Sequence, residues 1–277
     1  MRLPVSAATA VSLLLAGCGI VSEPVPPSDD LPTGRDPSHI LLAIDYIVHD
    51  PVLDGVYDPR LVTLTADGTL VIERRDVDAI MGATATKLDA ASLERAWSAI
   101  VGSGVFVDGL LDLPGFASQT VTTATNTFRV DDGTRSSLLT IDDLGSEQIY
   151  AGDPPITAAE MTLRASATGV IEELRSMGDQ EPWTPPALLM WWRPELPADW
   201  SAKVVRWPAA IDLATAGDAI EHPVWNRCAR LDGDQAAEVA RLARSLPIDH
   251  LVEQGGARYG LVLRPIHEDE IDGVSCP

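Results

Sequence analysis

Hydrophobic positions along the chain follow two spacings from residue 39 onwards, one typical of strands and one typical of helices. Residues 40–48 are mostly apolar and predict a strand, while 61–66 and 69–73 flank Asp67-Gly68, a strong hairpin signal. Further strands are predicted at about 120–130 and 135–142 around Asp131-Asp132-Gly133, near 187–193, 203–207 and 226–231, and in a last hairpin over 251–263 around Gly255-Gly256.

Three segments have helical spacing instead. Asp89 is a predicted N-cap, and the apolar residues after it fall on one helical face. Thr157-Ala158-Ala159-Glu160 is a capping box that predicts a second helix over about 158–177, and a third is predicted over about 234–246. Because hairpins alternate irregularly with helices, we expect an α+β fold built on antiparallel sheets.

The chain divides into two predicted lobes. Its 277 residues suit two modest cores better than one. The proline-rich segment 181–197 separates a first α+β lobe, 39–180, from a second, 181–277. Lys87-Leu88-Asp89 and Arg230-Leu231-Asp232 each precede a predicted helix. An internal repeat is therefore one hypothesis, and chance similarity of three residues is the other.

The N-terminal segment has the three parts of an export signal. Met1-Arg2 is positive, residues 5–15 are mainly apolar, and small residues precede Cys18. The apolar run is shorter than the ~20 residues that a membrane span needs. We therefore predict a signal peptide over 1–17. Five prolines within 19–38 predict an extended, solvated tether over 18–38.

The sequence Leu15-Ala16-Gly17-Cys18 resembles the lipobox of bacterial lipoproteins. That resemblance implies that the Cys18 thiol is acylated, palmitate being a typical acyl chain, and becomes the mature N-terminus. Two acyl chains are sufficient for stable membrane anchoring. The expected location is the extracytoplasmic face of the cell membrane, with the lipid on Cys18 as the contact to that membrane.

The chain more widely resembles an uncharacterised family of actinobacterial lipoproteins. The likeness rests on the lipobox, the proline-rich tether, Cys228-Ala229-Arg230-Leu231 and the segment 256–265. These relatives carry no assigned activity. The resemblance therefore implies a location and a two-lobed plan, and no chemistry.

Cys228 and Cys276 remain once Cys18 is assigned to lipid. An even number of remaining cysteines in an exported protein favours a disulfide, which would hold the C-terminal tail on the second lobe. Two separate thiols are the alternative.

Charge excludes one class of partner. The chain has 41 acidic and 20 basic residues, a formal net charge of −21, and such a surface repels phosphate backbones. We expect no nucleic acid partner. Besides the membrane, an envelope protein or ligand of unknown identity is the expected partner.

Motifs for catalysis or metal binding are not found in the sequence. Thr84-Ala85-Thr86-Lys87 has threonine where a nucleophilic serine is needed, and the five histidines have no ligand spacing. The acidic run 268–272 does not match an EF-hand and is interpreted as a solvated tail. We therefore assign no catalytic residue, metal ligand or cofactor.

Two tryptophans offer a possible ligand or partner surface. Six of the seven tryptophans lie between residues 183 and 225, and Trp191 and Trp192 are neighbours on one predicted strand. Adjacent strand residues point to opposite faces of a sheet. Either both faces are covered, or one indole is exposed to a ligand, a sugar or a partner.

The sequence thus favours a membrane-anchored, non-catalytic binding or interaction protein of the cell envelope. An envelope hydrolase with an unrecognised site and a solute-binding lipoprotein of a transporter are the alternatives.

Overall fold

A computed structural model describes most of the chain after the predicted signal peptide. The described residues are 30–49, 59–73, 81–114, 124–145, 156–194, 204–207, 210–246 and 251–276. Two β-sheets and three α-helices lie within these ranges, which confirms the predicted α+β class. Among these residues, none of the helices is both long and apolar enough to span a bilayer.

The first sheet has eight strands: β1 (Ile40–Val48), β2 (Arg60–Thr65), β3 (Thr69–Glu73), β4 (Ala83–Lys87), β5 (Gly109–Leu113), β6 (Ala124–Asp131), β7 (Ser136–Asp142) and β8 (Glu181–Pro182). Their order is β5-β7-β6-β1-β2-β3-β4-β8. The predicted hairpins β2–β3 and β6–β7 are confirmed. Gly133 in the second hairpin has φ +77°, and the Arg35 side chain occupies the space that a Cβ would need.

Helices α1 (Ala90–Ser103) and α2 (Ala158–Arg175) contact each other and form one core with the sheet. Asp89 caps α1 by accepting a hydrogen bond from the Ser92 backbone N–H at 2.8 Å, and the predicted capping box of α2 is present. The predicted apolar face of α1 is buried, namely Leu93, Ala96, Trp97, Ile100 and Val101. We call the first sheet and these helices the first lobe.

The opposite face of the first sheet is partly polar. Leu42 and Ile44 are fully buried in the core, while Asp45 points away from it and forms ion pairs with arginines. Thr63, which pairs with Ala43 on β1, points to the same side. Alternation along strands produces this division, and it leaves a polar surface available to the rest of the chain.

The second sheet has six strands: β9 (Ala187–Pro194), β10 (Val204–Arg206), β11 (Asp218–Ala219), β12 (Arg227–Asp232), β13 (Leu251–Gln254) and β14 (Ala257–Ile266). Their order is β10-β13-β14-β9-β12-β11. Helix α3 (Gly233–Ala243) packs on one face, and a short 3-10 helix, Glu268–Glu270, follows β14. We call this sheet, α3 and the C-terminal segment the second lobe.

Both sheets are mixed, which differs from the antiparallel arrangement that we expected. The pairs β5–β7 and β10–β13 are parallel. Parallel neighbours need a connection of a dozen or more residues. The segments between β5 and β7 and between β10 and β13 are that long. The parallel pairs were not predicted because hairpin signals in a sequence indicate only antiparallel neighbours.

Trp191 and Trp192 do not form a ligand surface. Their exposed fractions are 1% and 0%, so the alternative in which one indole is exposed to a ligand or partner does not hold. Trp192 packs on the α3 side and donates to the Leu213 carbonyl at 2.8 Å, while Trp191 packs with Trp225 on the other face. The sheet is covered on both sides, which is the other arrangement that the sequence allowed.

The C-terminal tail provides the cover on the Trp191 side. The predicted disulfide is confirmed: Cys228 and Cys276 are joined with an S–S distance of 2.03 Å. Arg230 Nη1 donates to the carbonyls of Ile271 at 2.6 Å and Val274 at 2.8 Å. The tail is therefore held along its length on the second sheet.

The end of the predicted tether lies against the first lobe. Trp97 Nε1 donates to the Asp30 carbonyl at 3.1 Å, and Leu31 packs on the first core. Residues 30–38 are therefore part of the folded unit and not a solvated spacer, because an apolar side chain and a buried indole N–H hold them there. Cys18 and the rest of the predicted signal and tether lie outside the described residues.

The limits of the lobes differ slightly from the predicted ones. The first sheet includes β8, which pairs with β4 beyond the boundary predicted after residue 180. Asp89 and Asp232 both occupy N-cap positions, but only Asp89 makes a side-chain cap, and the strand orders of the two sheets differ. The internal repeat stays a hypothesis.

Removing the disulfide should destabilise the protein. The bridge spans a sequence separation of 48 residues. Chain-entropy reasoning gives about 4 kcal/mol for a loop of this size. We expect the Cys228→Ser/Cys276→Ser double variant to lose roughly that free energy of unfolding in a urea titration. The reduced parent is the matched control and should unfold at the same urea concentration as the variant. An unchanged midpoint would contradict a stabilising role for the bridge.

Candidate functional site

A cleft lies between the polar face of the first sheet and the second lobe. Its volume is about 350 Å³, within the range of small-molecule sites of ~300–1,000 Å³. We call it the interlobe cleft. Its described lining residues are Pro37, Ser38, Ile40, Thr63, Thr65, Asp67, Thr69, Val71, Trp183, Thr184, Pro186, His267, Glu268 and Asp269.

Hydroxyl groups from β2 and β3 line the first-lobe side of the cleft. Thr63 and Thr65 are two residues apart on β2 and therefore share a face. Thr65 Oγ1 donates to Asp67 at 2.6 Å. Burial raises the pKa of Asp67, but hydrogen bonds from Lys87, Thr65 and Thr69 outweigh it and lower that pKa, so the carboxyl is ionised.

His267 forms the opposite wall. Its exposed fraction is 4%, and its Nδ1 lies 3.1 Å from Thr63 Oγ1 across the lobe boundary. The imidazole stacks on Trp183 with the ring centroids 4.7 Å apart and an interplanar angle of 29°. Burial and then the positive charges of Arg60, Arg264 and Arg129 lower the pKa of His267 well below its ordinary value. The ring is therefore neutral.

The tautomer of His267 follows from its neighbours. His267 and Glu270 form a reciprocal capping box: the His267 backbone N–H donates to Glu270 Oε2 at 3.1 Å, and the Glu270 backbone N–H faces the imidazole. With the Thr63 hydroxyl also at Nδ1, we assign Nδ1 as the acceptor and place the proton on Nε2. Nε2 has no hydrogen-bond partner among the described residues.

A buried guanidinium lies beside the cleft and joins the lobes. Arg60, at the start of β2, is 4% exposed and reaches Asp45 at 2.9 Å, Asp269 at 2.6 Å and Glu270 at 3.6 Å. Burial lowers the pKa of Arg60, but the hydrogen bond to Asp269 and the charges of Asp45 and Glu270 more than offset it, so the pKa is raised. Arg60 is therefore charged.

Two further arginines complete this ionic network. Arg129 reaches Asp45 at 2.7 Å, and Arg264 reaches Glu270 at 2.7 Å. The network therefore contains three guanidinium groups and three carboxylates. The carboxylates are Asp45, Glu270 and Asp269, and Asp269 pairs with Arg60. The network is balanced and ties the C-terminal segment to β1, β2 and β6.

The prediction of a solvated acidic tail over 268–272 is wrong for two of its residues. Asp269 and Glu270 make ion pairs with Arg60, although Asp269 is itself exposed, whereas Glu268 and Asp272 are exposed and make no ion pair among the described residues. Arg60 lies about 200 residues earlier in the chain, so local sequence could not reveal this partner. The described residues include no group of three or more histidine, cysteine or acidic side chains that could hold a metal ion.

The residues singled out in the sequence do not meet in the cleft. Cys228 and Cys276 join on the second sheet, and Trp191 and Trp192 are buried there. Trp183, Thr63 and Glu268 were not predicted as site residues, and His267 has no ligand spacing in the sequence. Membership of the tryptophan cluster was the one signal that pointed towards Trp183.

Comparisons with protein-family models, with curated proteins and with solved structures find no match for this chain. The function is therefore argued from the residues of this protein.

The ionic network should contribute strongly to stability. We expect Arg60→Met to lower the free energy of unfolding by about 3 kcal/mol, because it leaves partly buried carboxylates without their partner. Arg95→Met is the matched control, since Arg95 and Glu173 form an exposed pair at 3.9 Å, and it should cost less than about 1 kcal/mol. Equal losses in the two variants, measured by urea unfolding, would show that the network is not stabilising.

His267 should make stability dependent on pH. Below pH ~6.5 the unfolded chain binds a proton at this histidine that the folded protein does not bind, so stability falls as pH falls. The contribution is about 1.4 kcal/mol per pH unit. In His267→Phe the lost Thr63 contact lowers stability equally at every pH, and the slope between pH 6.5 and 5 should be shallower than in the parent. Parallel curves would contradict the neutral imidazole.

Proposed function

We propose that this chain is a lipid-anchored protein of the bacterial cell envelope, held on the extracytoplasmic face of the cell membrane through Cys18, whose two lobes bind a ligand without transforming it. The observation that carries the anchor is Leu15-Ala16-Gly17-Cys18 directly after an apolar segment too short to span a bilayer.

The disulfide supports export. Cysteine pairs form and persist in oxidising compartments outside the cytoplasm. Cys228 and Cys276 are paired, which leaves Cys18 as the one cysteine of the three for acylation.

The interlobe cleft supports a binding role. It has the size of a small-molecule site, and the carboxylates in and beside it are largely occupied by partners within the protein. Asp67 pairs with Lys87, and Asp269 pairs with Arg60. A general acid or base needs a pKa near the working pH, whereas hydrogen bonds from Lys87, Thr65 and Thr69 outweigh burial and lower the pKa of Asp67.

An envelope hydrolase is the second candidate, and one contact favours it. Thr63 Oγ1 lies 3.1 Å from His267 Nδ1, a distance suited to a nucleophile and its base. However, Thr63 is 5% exposed, and burial together with the nearby positive charges of Arg60, Arg264 and Arg129 lowers the pKa of His267. A base that resists taking a proton is poorly suited to activate a hydroxyl, so we prefer the binding role.

A solute-binding lipoprotein of a transporter is the third candidate, and the position of the cleft between two lobes favours it. Such proteins close around a hinge. Here the Arg60–Asp269 ion pair at 2.6 Å and the Thr63–His267 contact at 3.1 Å cross between the lobes. These contacts oppose hinge opening, so we rank this candidate below a static binding protein.

Labelling with radioactive palmitate tests the anchor. We expect the parent expressed in an actinobacterial host to incorporate label and to sediment with membranes, and Cys18→Ala to do neither. The Cys228→Ser/Cys276→Ser variant is the control and should still be labelled, because its cysteines are not the acylated one. Label retained by Cys18→Ala would refute the proposal.

A further inference from the structure

We propose that the interlobe cleft binds a neutral saccharide, with His267 Nε2–H and the Glu268 carboxylate as its hydrogen-bonding groups and Trp183 as an apolar contact. This inference rests on the proposed binding function and names its ligand class.

The ring nitrogen Nε2 of His267 is available to a ligand. The side chain is almost completely buried and lines the cleft, while its Nε2 has no partner within the described ranges. Nε2 is not among the buried atoms that lack a partner, so solvent reaches it from the cleft. A ligand oxygen in the cleft can replace that solvent as the acceptor of the Nε2–H.

The charge of the cleft lining favours an uncharged ligand. The described lining residues include three acidic side chains, Asp67, Glu268 and Asp269, and no lysine or arginine. These carboxylates oppose an anionic ligand. An ammonium group beside the Nε2–H would place two donors together, because it has no lone pair to accept from that N–H. A neutral ligand with both donors and acceptors satisfies the whole lining.

The carboxylate of Glu268 is available to a ligand. It lines the cleft, is exposed, and has no hydrogen-bond or ion-pair partner among the residues that the structure describes. A free carboxylate accepts strong hydrogen bonds from ligand hydroxyl groups. Asp67 and Asp269 are less available because Lys87 and Arg60 occupy them.

Trp183 supplies an aromatic ring at the cleft. Its indole is half-buried and stacks on His267, while its backbone carbonyl accepts a hydrogen bond from Arg244. The stacking orients the ring and the hydrogen bond fixes the main chain that carries it, with Pro186 also in the lining. An oriented aromatic ring offers an apolar contact to the C–H groups on one face of a sugar ring. The hydroxyl groups at the edge of the sugar ring stay available for hydrogen bonds. Hydrogen-bonding groups together with such a ring fit a saccharide.

Calorimetric titration of the full chain tests the ligand class. The chain is kept in a polyoxyethylene detergent, which carries no sugar, at pH 6. The probes are N-acetylglucosamine, glucosamine and glucuronate, which share a ring but are neutral, cationic and anionic under these conditions. We expect binding of the neutral sugar and at least about tenfold weaker binding of the two charged ones, equivalent to about 1.4 kcal/mol.

Glu268→Gln tests the site, because this exposed side chain can change without affecting folding. We expect about fivefold weaker binding of N-acetylglucosamine after loss of the charged acceptor. Asp272→Asn is the matched control, an exposed acid of the same tail that does not line the cleft, and it should bind like the parent.

His267→Phe keeps a ring against Trp183 and removes the N–H, and it should bind N-acetylglucosamine at least about tenfold more weakly. Its thermal unfolding is recorded alongside.

Three results would overturn the inference: no binding of N-acetylglucosamine, equal or tighter binding of glucosamine, or an unchanged affinity in Glu268→Gln. None of them alters the palmitate result, which tests the anchor separately.

Mass spectrometry of N,N′-diacetylchitobiose recovered after incubation with the protein separates the saccharide proposal from the non-catalytic role. An intact disaccharide supports binding without chemistry, and cleavage would refute the non-catalytic role while leaving the saccharide class in place.

Discussion

The buried guanidinium of Arg60 is the interaction on which the arrangement of the two lobes depends. A charge taken out of water is tolerated only with partners and hydrogen bonds around it. Two of its partners, Asp269 and Glu270, belong to the C-terminal segment, whereas Asp45 belongs to the first sheet. The need to neutralise one cation therefore brings the 3-10 helix onto the first lobe and places His267 opposite Thr63.

The segment after β14 links this network to the second sheet. At its start, Asp269 and Glu270 contact Arg60, and at its end, Cys276 is bonded to Cys228. Between these points the tail covers the face on which Trp191 packs. One short segment thus completes a hydrophobic core, forms a wall of the cleft and joins the lobes. The disulfide and the ion pairs act on the same structural feature.

The predicted anchor and the cleft are close along the chain. Pro37 and Ser38 line the cleft, and residues 30–38 lie on the first lobe. The part of the predicted tether before them, 18–29, reaches at most about 40 Å when fully extended. A saccharide bound as proposed would therefore be held within a short distance of the membrane. The neutral imidazole and the paired carboxylates in the cleft suit binding of an uncharged ligand there.

Elements that depend on residues close together in the chain could be predicted from the sequence. Periodicity and caps defined β1, the hairpins β2–β3 and β6–β7, and helices α1 and α2, and cysteine counting found the disulfide. Strand β4 was missed because its Thr84–Lys87 segment is short and polar. Tertiary structure alone decided that both neighbouring tryptophans are buried, that two strand pairs are parallel, and that Arg60 meets Asp269 and Thr63 meets His267 across 209 and 204 residues. Hydrophobic spacing and caps report neighbours within a few residues, whereas partners so far apart are chosen only when the lobes pack and buried charges must be neutralised.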